Sequence, residues 1–358
     1  MPELVGVLLM CRELGSGGSE RQLTETARAL DRARFAPHVG CFRAEGPRLQ
    51  DLQAANVPVA EFPVRSFASA SVLAGARAMG RYLRRREIQI VHTFDVPSNL
   101  FGVPVARWFR KPVVISSQRA FRSLTPGIYH HLLRLTDWMT DAIVVNSAAV
   151  GRSLVEQDRV PPGLVHLCPN GVDTSVFSPK DRTGGPLTIG TVAVLRPEKG
   201  LPTLLEAAAG LQARLLVVGD GPLRPELEGL ASTLGIAGGC CFTGAVRDVA
   251  PYLHQMDIFV LPSLSEALSN ALVEAMACGC AVVASRVGGN PELVEDGRTG
   301  LLFEADNAGD LASKLVRLID RPEERAALGA AAAERIRSHY SLAAAVRRIE
   351  DLYAWLLR

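Results

Sequence analysis

Two glutamates, Glu266 and Glu274, carry the strongest chemical signal in the sequence. They lie in the segment 261–279, which reads LPSLSEALSNALVEAMACG. The pattern predicts the end of a strand, a polar turn that holds Glu266, and a short helix over about 269–278 that carries Glu274 and stops at a glycine. Amides at the start of a helix can bind phosphate, and carboxylates can accept hydrogen bonds from sugar hydroxyls. The amides concerned belong to Ser269, Asn270 and Ala271.

Two cations follow another predicted strand, 187–195. Arg196 and Lys199 stand in the turn Arg-Pro-Glu-Lys-Gly, with Pro202 placed for the first turn of the next helix. Two positive charges beside a helix N-terminus can neutralise a diphosphate. A turn with solvated charges is the alternative interpretation.

A glycine-rich loop, 15–18, follows the first predicted strand. It leads into a helix that we expect Ser19 to cap, with Gln22 as its capping-box partner. The amides of Gly17 and Gly18 can approach an anion, although a purely structural turn fits equally well. The spacing matches neither the dinucleotide fingerprint nor a P-loop. A second glycine turn, 219–222, is expected to be mainly structural.

These loops need elements to position them, and the chain supplies alternating strands and helices. Apolar, β-branched runs alternate with amphipathic stretches, which predicts βα units and parallel sheets. The predicted strands are Leu4–Met10, His38–Phe42, Ile88–His92, Val113–Ser116, Ala142–Asn146, Leu187–Leu195, Arg214–Val218, Cys241–Thr243, Ile258–Leu261, Ala281–Ala284 and Gly300–Phe303. In such sheets ligands bind beyond the carboxyl ends of the strands.

The pattern predicts an α/β chain with two Rossmann-like, doubly wound domains. The first covers 1–173, a Ser/Pro/Gly-rich linker covers 174–186, and the second covers 187–340. The last segment, 341–358, has apolar residues at helical spacing and needs a surface to cover. We expect this helix to cross back to the first domain.

Composition restricts the class of protein. The seven cysteines are odd in number and irregularly spaced, which favours buried thiols in a reducing compartment over disulfides or a metal site. The start of the chain lacks the features of a signal peptide, and no apolar stretch approaches the roughly 20 residues that span a bilayer. These features predict a cytoplasmic protein.

Charge is divided unevenly along the chain. Residues 1–168 hold 21 Lys and Arg against 14 Asp and Glu, a balance of 21 − 14 = +7, whereas the whole chain carries +2. The cationic positions include Arg77, Arg81, Arg84, Arg85 and Arg86, and the stretch 108–111 (WFRK). They predict docking on an anionic inner-leaflet surface; a solvated arginine-rich face is the alternative. No feature indicates a nucleic acid partner.

Several blocks together resemble the retaining family-4 glycosyltransferases. Besides the paired glutamates and the Arg196/Lys199 turn, they are 17–20 (GGSE), 169–173 (PNGVD), 218–222 (VGDGP), 242–244 (FTG) and 287–292 (VGGNPE). The resemblance covers nearly the whole chain and is densest over 187–303. It implies a GT-B fold, in which two domains face across a cleft that holds a nucleotide diphosphate-sugar.

The resemblance also implies roles for individual residues. Arg196 and Lys199 would bind the diphosphate together with the helix amides, Glu274 the ribose hydroxyls, and Glu266 the transferred sugar. Gly17 and Gly18 would close over the phosphates from the first domain. The resemblance further implies retention of anomeric configuration, no cofactor and no tightly bound metal.

The first domain departs from the family pattern. Where the family often has two histidines, this chain offers His92, at the end of the predicted strand Ile88–His92, and Gln118 or Arg119 in place of the second. We predict that His92 and Arg119 join Glu266 in the catalytic set. Ala267 also replaces the glycine that usually follows the first glutamate, which bears on donor choice.

The predicted function is transfer of a hexose from a nucleotide diphosphate donor, such as a UDP-sugar, to a glycan or lipid-linked acceptor. Cell-surface polysaccharide or glycolipid synthesis, in the cytoplasm or at the inner face of the membrane, would use such an enzyme. The alternatives are a catalytically silent partner subunit and a non-hydrolysing sugar-nucleotide epimerase. A bilobal solute-binding protein is disfavoured because a signal peptide is missing.

Overall fold

The computed structural model describes residues 4–109, 112–179 and 185–358. The chain forms two compact units. The first contains the chain up to Gly171 together with Leu342–Arg358, and the second is Val172–Ser341. The boundary therefore falls two residues before the predicted one. Residues 180–184 of the predicted linker lie outside the described residues.

The first domain is a parallel sheet of seven strands in the order β3-β2-β1-β4-β5-β6-β7. Helices connect successive strands, as parallel pairing requires. The strands are β1 Val5–Met10, β2 Phe35–Cys41, β3 Val59–Glu61, β4 Ile88–Thr93, β5 Val113–Gln118, β6 Ala142–Val145 and β7 Val165–Leu167. The helices between them are α1 Gly18–Ala29, α2 Arg48–Ala54, α3 Ser71–Arg85, α4 Val96–Phe109, α5 Gly127–Asp137 and α6 Ala148–Glu156.

Both faces of this sheet are buried, which explains why its strands read as apolar runs. Alternate residues of β1 enter different cores: Val7 and Leu9 pack on one side, Leu8 and Met10 on the other. The two strands that the sequence did not predict, β3 and β7, are three-residue edge strands with half-exposed side chains.

The second domain is a parallel sheet of six strands in the order β10-β9-β8-β11-β12-β13. Its strands are β8 Thr188–Val192, β9 Arg214–Val218, β10 Cys240–Phe242, β11 Ile258–Leu261, β12 Ala281–Ser285 and β13 Leu301–Phe303. Its helices are α7 Leu201–Ala208, α8 Arg224–Thr233, α9 Ala250–Leu253, α10 Asn270–Ala277, α11 Asn290–Leu293, α12 Ala308–Asp320 and α13 Pro322–His339. All six predicted strands are present, so the expected pair of doubly wound domains is confirmed.

The last helix, α14 (Leu342–Leu356), packs in the first domain against α1. Its residues Val346, Ile349, Leu352 and Tyr353 are buried in the core that also contains Val7. The predicted return of the C-terminal helix to the first domain is confirmed. Burial of these apolar side chains supplies the driving force.

All seven cysteines are thiols, and five of them are buried. Burial raises the pKa of Cys41 to about 12 and that of Cys168 to about 11, so both stay protonated at neutral pH. They pack as small apolar side chains, as predicted. Within the described part of the chain, no helix is both long and apolar enough to cross a membrane.

Candidate active site

In the second domain, α10 begins just beyond the carboxyl end of β11. Ser269 is its N-cap, and the Ser269 hydroxyl accepts a hydrogen bond from the amide of Leu272 at 3.3 Å. The first intrahelical bond runs from Val273 to Ser269, so the amides of Asn270 and Ala271 precede it. The helix ends at Ala277, with Cys278 as its C-cap and Gly279 next in the left-handed region at φ 71°. The predicted turn and helix are therefore present.

Glu274 lies in the second turn of α10 and is 3% exposed. Its neighbours along the helix are apolar and buried. Burial of a carboxylate costs free energy unless polar groups hydrogen-bond to it. A glutamate at this buried position is therefore unfavourable for packing alone.

Glu266 lies in the turn before α10 and is paired with a cation. Its Oε2 accepts hydrogen bonds from Lys199 Nζ at 2.7 Å and from the Ser263 hydroxyl at 3.2 Å. The Lys199 and Glu266 side chains are 24% and 12% exposed. The structure thus brings together two predicted site residues that are 67 positions apart.

Arg196 and Lys199 bracket a short 3₁₀ turn, Pro197–Lys199, at the carboxyl edge of the same sheet. Arg196 is exposed and Lys199 is half-buried. The amide of Leu264 donates to the carbonyl of Glu198 at 2.9 Å, which joins this turn to the loop that holds Glu266.

Gly200 makes the close approach of the two loops possible. Its φ is 60°, and a Cβ at this position would collide with the carbonyl oxygen of Pro262. Glycine adopts the left-handed conformation without strain, and it has no Cβ to collide with the Pro262 carbonyl. The glycines at 219 and 221 play a similar structural role, since a Cβ on either would strike backbone atoms of 193–195.

We expect Gly200→Ala to lower the melting temperature of the second domain. The left-handed conformation alone costs about 1–2 kcal/mol for a residue with a Cβ, and the collision with Pro262 adds to it. Gly210→Ala is the matched control because Gly210 has φ 82° and no atom lies within 4 Å of the position that a Cβ would take. Scanning calorimetry of both variants separates the two effects. Equal losses for the two variants would contradict the role of the Pro262 contact.

A buried polar network lies behind Glu266, and sequence reasoning did not assign it to the site. The Ser285 hydroxyl donates to the carbonyl of Ser263 at 2.6 Å, and Asn290 Nδ2 donates to the carbonyl of Ser285 at 3.0 Å. Asn290 is fully buried, and its Oδ1 has no hydrogen-bond partner among the described residues. Polar residues at the ends of apolar strands were the signal that could have revealed this network.

The glycine loop of the first domain leads into α1 differently from the prediction. Gly17 is the N-cap and Ser19 lies inside the first turn, so the predicted capping box is wrong. Gln22 instead exchanges two hydrogen bonds with Gly171, at 3.0 and 3.1 Å, and so fixes the turn 169–173. The Glu20 side chain folds back against Gly17, and burial raises its pKa.

His92 lies inside the first domain. It is 0% exposed, its Nδ1 is 2.7 Å from the Tyr353 hydroxyl, and its Nε2 is 2.8 Å from the Ser117 hydroxyl. Both ring nitrogens are therefore occupied by protein groups in this structure. His92 therefore joins β4 to β5 and α14, and its catalytic role stays a prediction.

Stability of the first domain is expected to fall below about pH 6.5, the ordinary pKa of histidine. Burial lowers the pKa of His92 well below that value, and the nearby Arg119 guanidinium adds to the effect. The unfolded chain then binds a proton that the folded domain excludes, so the free energy of unfolding decreases as pH falls, by up to about 1.4 kcal/mol per unit. Above that pH the contribution of His92 is complete.

Tryptophan fluorescence measures this effect cleanly. All three tryptophans, Trp108, Trp138 and Trp355, belong to the first domain. Urea unfolding on both sides of about pH 6.5 should show a smaller pH slope for His92→Gln than for wild type. Replacing the exposed His131 by Gln is the control. An unchanged slope in His92→Gln would contradict the prediction.

Arg119 lies at the carboxyl edge of the first sheet and is half-buried. Its guanidinium donates to Asn170 Oδ1 at 2.5 Å and stacks over Phe94 at 4.9 Å. Burial lowers its pKa to about 10, which leaves it charged at neutral pH. Gln118 is buried and donates to the carbonyl of Ala120 at 2.9 Å. Of the two candidates at this position, Arg119 is the one that extends to the edge.

The described residues contain no group of three or more His, Cys, Asp or Glu side chains arranged to hold a metal ion. The structure therefore collects the predicted residues into two sets. Arg196, Lys199, Glu266 and α10 lie together in the second domain. Gly17 and Gly18, at the start of α1, and Arg119, just after β5, belong to the first.

Each half of the chain matches a family of known proteins. Residues 16–176 match the model of Glycosyltransferase Family 4, and residues 186–321 match that of Glycosyl transferases group 1. The Arabidopsis thaliana sulfoquinovosyl transferase SQD2 is 28% identical over 299 residues, which cover 75% of this chain and 57% of the relative. A D-inositol 3-phosphate glycosyltransferase from Stackebrandtia nassauensis is 35% identical over 218 residues, 54% of this chain and 49% of the relative.

These matches span only about half the length of the curated relatives. Among solved structures, Anabaena Alr3699/HepE in complex with UDP and glucose superimposes with a TM-score of 0.87 at 20% identity, over 98% of this chain and 99% of the other. That likeness establishes the fold, two Rossmann-like domains of the GT-B class. With this fold, the two family matches support a glycosyltransferase of the family-4 type.

Proposed function

We propose that the protein transfers a hexose from a nucleoside diphosphate-sugar to a glycan or lipid-linked acceptor, with retention of anomeric configuration. The observation that carries the proposal is the Lys199–Glu266 pair at 2.7 Å, next to the start of α10. A cation for phosphate and a carboxylate for sugar hydroxyls thus lie side by side.

The donor would bind along the carboxyl edge of the second sheet. Arg196, Lys199 and the amides at the start of α10 would hold the diphosphate, because cations and helix N-termini favour anions. Glu274 would accept the ribose hydroxyls, and Glu266 the hydroxyls of the transferred sugar. UDP is the nucleotide that we favour, since the structurally similar HepE was solved with UDP.

The reaction breaks the bond between the sugar C1 and the diphosphate oxygen and forms a bond from C1 to the acceptor oxygen. Negative charge grows on the leaving diphosphate, where Lys199, Arg196 and the α10 amides would stabilise it. The acceptor hydroxyl attacks the same face of the sugar and passes its proton to the departing phosphate. This arrangement needs no tightly bound metal.

In the first domain, we assign phosphate contact to Gly17 and Gly18. Arg119 would bind an anionic group of the acceptor or donor. The acceptors used in cell-surface polysaccharide or glycolipid synthesis fit this cationic domain. A lipid-linked acceptor would place the enzyme at the inner face of the membrane.

A donor panel tests the proposal. Thermal shift and nucleotide release are measured with UDP-glucose, UDP-N-acetylglucosamine, UDP-galactose and GDP-mannose, each with and without EDTA. We expect stabilisation and slow hydrolysis with one donor class, unaffected by EDTA. No stabilisation and no hydrolysis with any donor would contradict the proposal, and loss of the response in EDTA would contradict metal independence.

A further inference from the structure

Helix α5 in the first domain exposes most of its large apolar side chains and buries polar ones. Its buried residues are Leu133, Thr136 and Asp137, and Asp137 forms a buried ion pair with Arg122 at 2.7 Å. The large side chains on its outward face are Ile128 (69% exposed), Tyr129 (37%), Leu132 (41%), Leu135 (65%) and, one residue after the helix, Trp138 (86%). A surface helix normally does the opposite.

The exposed apolar residues form one stripe. Ile128, Leu132 and Leu135 follow each other on α5 at intervals of four and three residues, the spacing that places side chains on one helix face. Leu124 is in the short turn that precedes α5 and is also 58% exposed. A contiguous apolar surface of this kind marks an interaction site.

A second exposed tryptophan lies at the same end of the layer. Helix α4 packs against both α3 and α5. The Arg107 side chain, beside Trp108, donates to the carbonyl of Met139, beside Trp138. Trp108 is 84% exposed. Two nearly bare indoles at one end of a domain are typical of an element that inserts at a membrane interface.

The charges around this stripe are positive. Between Asp95 and Asp137 the sequence contains no acidic residue, whereas it contains six Lys and Arg. Arg134 is exposed on α5 itself. On α3, which packs on α4 as α5 does, and just after it, five arginines are exposed: Arg77, Arg81, Arg84, Arg85 and Arg86. Arg84 also stacks over Phe109 at the end of α4, at 5.7 Å. Arg110 and Lys111, part of the patch predicted from sequence, lie outside the described residues.

We propose that the outward face of α5, with Trp108 and Trp138, is the surface by which the protein inserts into an anionic phospholipid bilayer. Apolar side chains would enter the interface, and the arginines of α3 and α5 would contact the head groups. A second copy of the chain fits less well. A symmetric dimer through this face would set the exposed Arg134 and the α3 arginines of one copy against those of the other.

Membrane insertion deepens the proposed function, because it would bring the enzyme to a lipid-linked acceptor. Only that link to the acceptor rests on the proposed function. The α5 stripe runs the length of the helix, from the loop after β5, where Arg119 lies, to Trp138. Insertion of the whole stripe would set the helix layer of the first domain against the bilayer, with Trp108 and Trp138 at the amino edge of the sheet.

The test is flotation of the full chain with vesicles of phosphatidylcholine, alone or mixed with phosphatidylglycerol. Wild type should bind the anionic vesicles and detach at high salt. Leu135→Ser with Trp138→Ser should weaken binding at least about tenfold, because both side chains lose their burial in the interface. Val316→Ser with Trp355→Ser removes an exposed aliphatic residue and an exposed tryptophan elsewhere, and should bind like wild type.

Fluorescence supplies the second measurement. A variant with Trp108→Phe and Trp355→Phe retains Trp138 alone, and its emission should shift to the blue on anionic vesicles. The variant that retains Trp355 alone should not shift. Absence of binding to anionic vesicles, equal weakening in both double variants, or a dimer that Leu135→Ser with Trp138→Ser dissociates would each overturn the inference.

Donor response separates the two proposals. Without vesicles, Leu135→Ser with Trp138→Ser should keep the thermal shift and hydrolysis seen with the nucleotide-sugar. Normal donor response without vesicle binding would overturn only the membrane surface. Normal vesicle binding without donor response would overturn only the proposed transferase activity.

Discussion

Replacing Glu274 by Gln is expected to lower kcat/KM for the donor about 100-fold, because a carboxylate that accepts two hydroxyl hydrogen bonds is worth roughly 3 kcal/mol. The loss should appear mainly in the KM of the donor. Glu274 is 3% exposed on a rigid helix, so its carboxylate is held in one position. Glutamine keeps the size of the side chain but replaces an acceptor by a donor.

A 2′-deoxy nucleotide-sugar sharpens this measurement. Wild type should discriminate strongly between the ribose and deoxyribose donors, whereas Glu274→Gln should treat them nearly alike. Glu226→Gln is the control, since Glu226 is exposed on α8 of the same domain and the charge change is equal. Calorimetry shows whether the second domain of each variant is folded. If Glu274→Gln discriminated between the ribose and deoxyribose donors as strongly as wild type, the proposal that Glu274 binds the ribose would be wrong.

Replacing Lys199 by Met is expected to lower kcat by about 100- to 1,000-fold, the range found when a preorganised charge-stabilising group is lost. Lys199 would stabilise the charge that grows on the leaving diphosphate, and that charge is larger in the transition state than in the bound donor. The KM of the donor should therefore change less than kcat. Steady-state release of the nucleoside diphosphate measures both.

The matched control is Lys314→Met. Lys314 forms an ion pair with Asp310 at 3.6 Å on α12, and the two side chains are similarly half-exposed. Its removal should cost no more than about 1 kcal/mol of stability and leave turnover unchanged. If Lys199→Met retained its kcat, the position would be structural, and the role of the Lys199–Glu266 pair in transfer would be rejected.

The α10 region was predictable because all its signals are local. The strand end at Leu261, the cap residue Ser269 and the stopping Gly279 all lie within the segment 261–279, and the structure shows each of them. The turn at Arg196–Gly200 was also local, and the structure shows it as a short 3₁₀ turn that ends at Gly200. Local patterns of this kind are determined by backbone chemistry alone.

The sequence was least informative where a side chain binds a residue far away in the chain. Gln22 was expected to cap its own helix, yet it binds Gly171, 149 positions away. Tyr353, on the last helix, likewise contacts a ring nitrogen of His92, a partner that the sequence around His92 did not indicate. The Ser263–Ser285–Asn290 network joins two strand ends and was missed for the same reason. Tertiary contacts override local preference at such positions.

The position of α14 in the first domain has a consequence for biosynthesis. On the ribosome, residues 172–341 emerge between the two parts of that domain, and at about 5–20 residues per second they take roughly ten to thirty seconds to appear. Until Val346, Ile349 and Tyr353 follow, the apolar face that they cover in the finished core is open to chaperones. The second domain, continuous in sequence, is complete first. The first domain therefore begins synthesis first but is completed last.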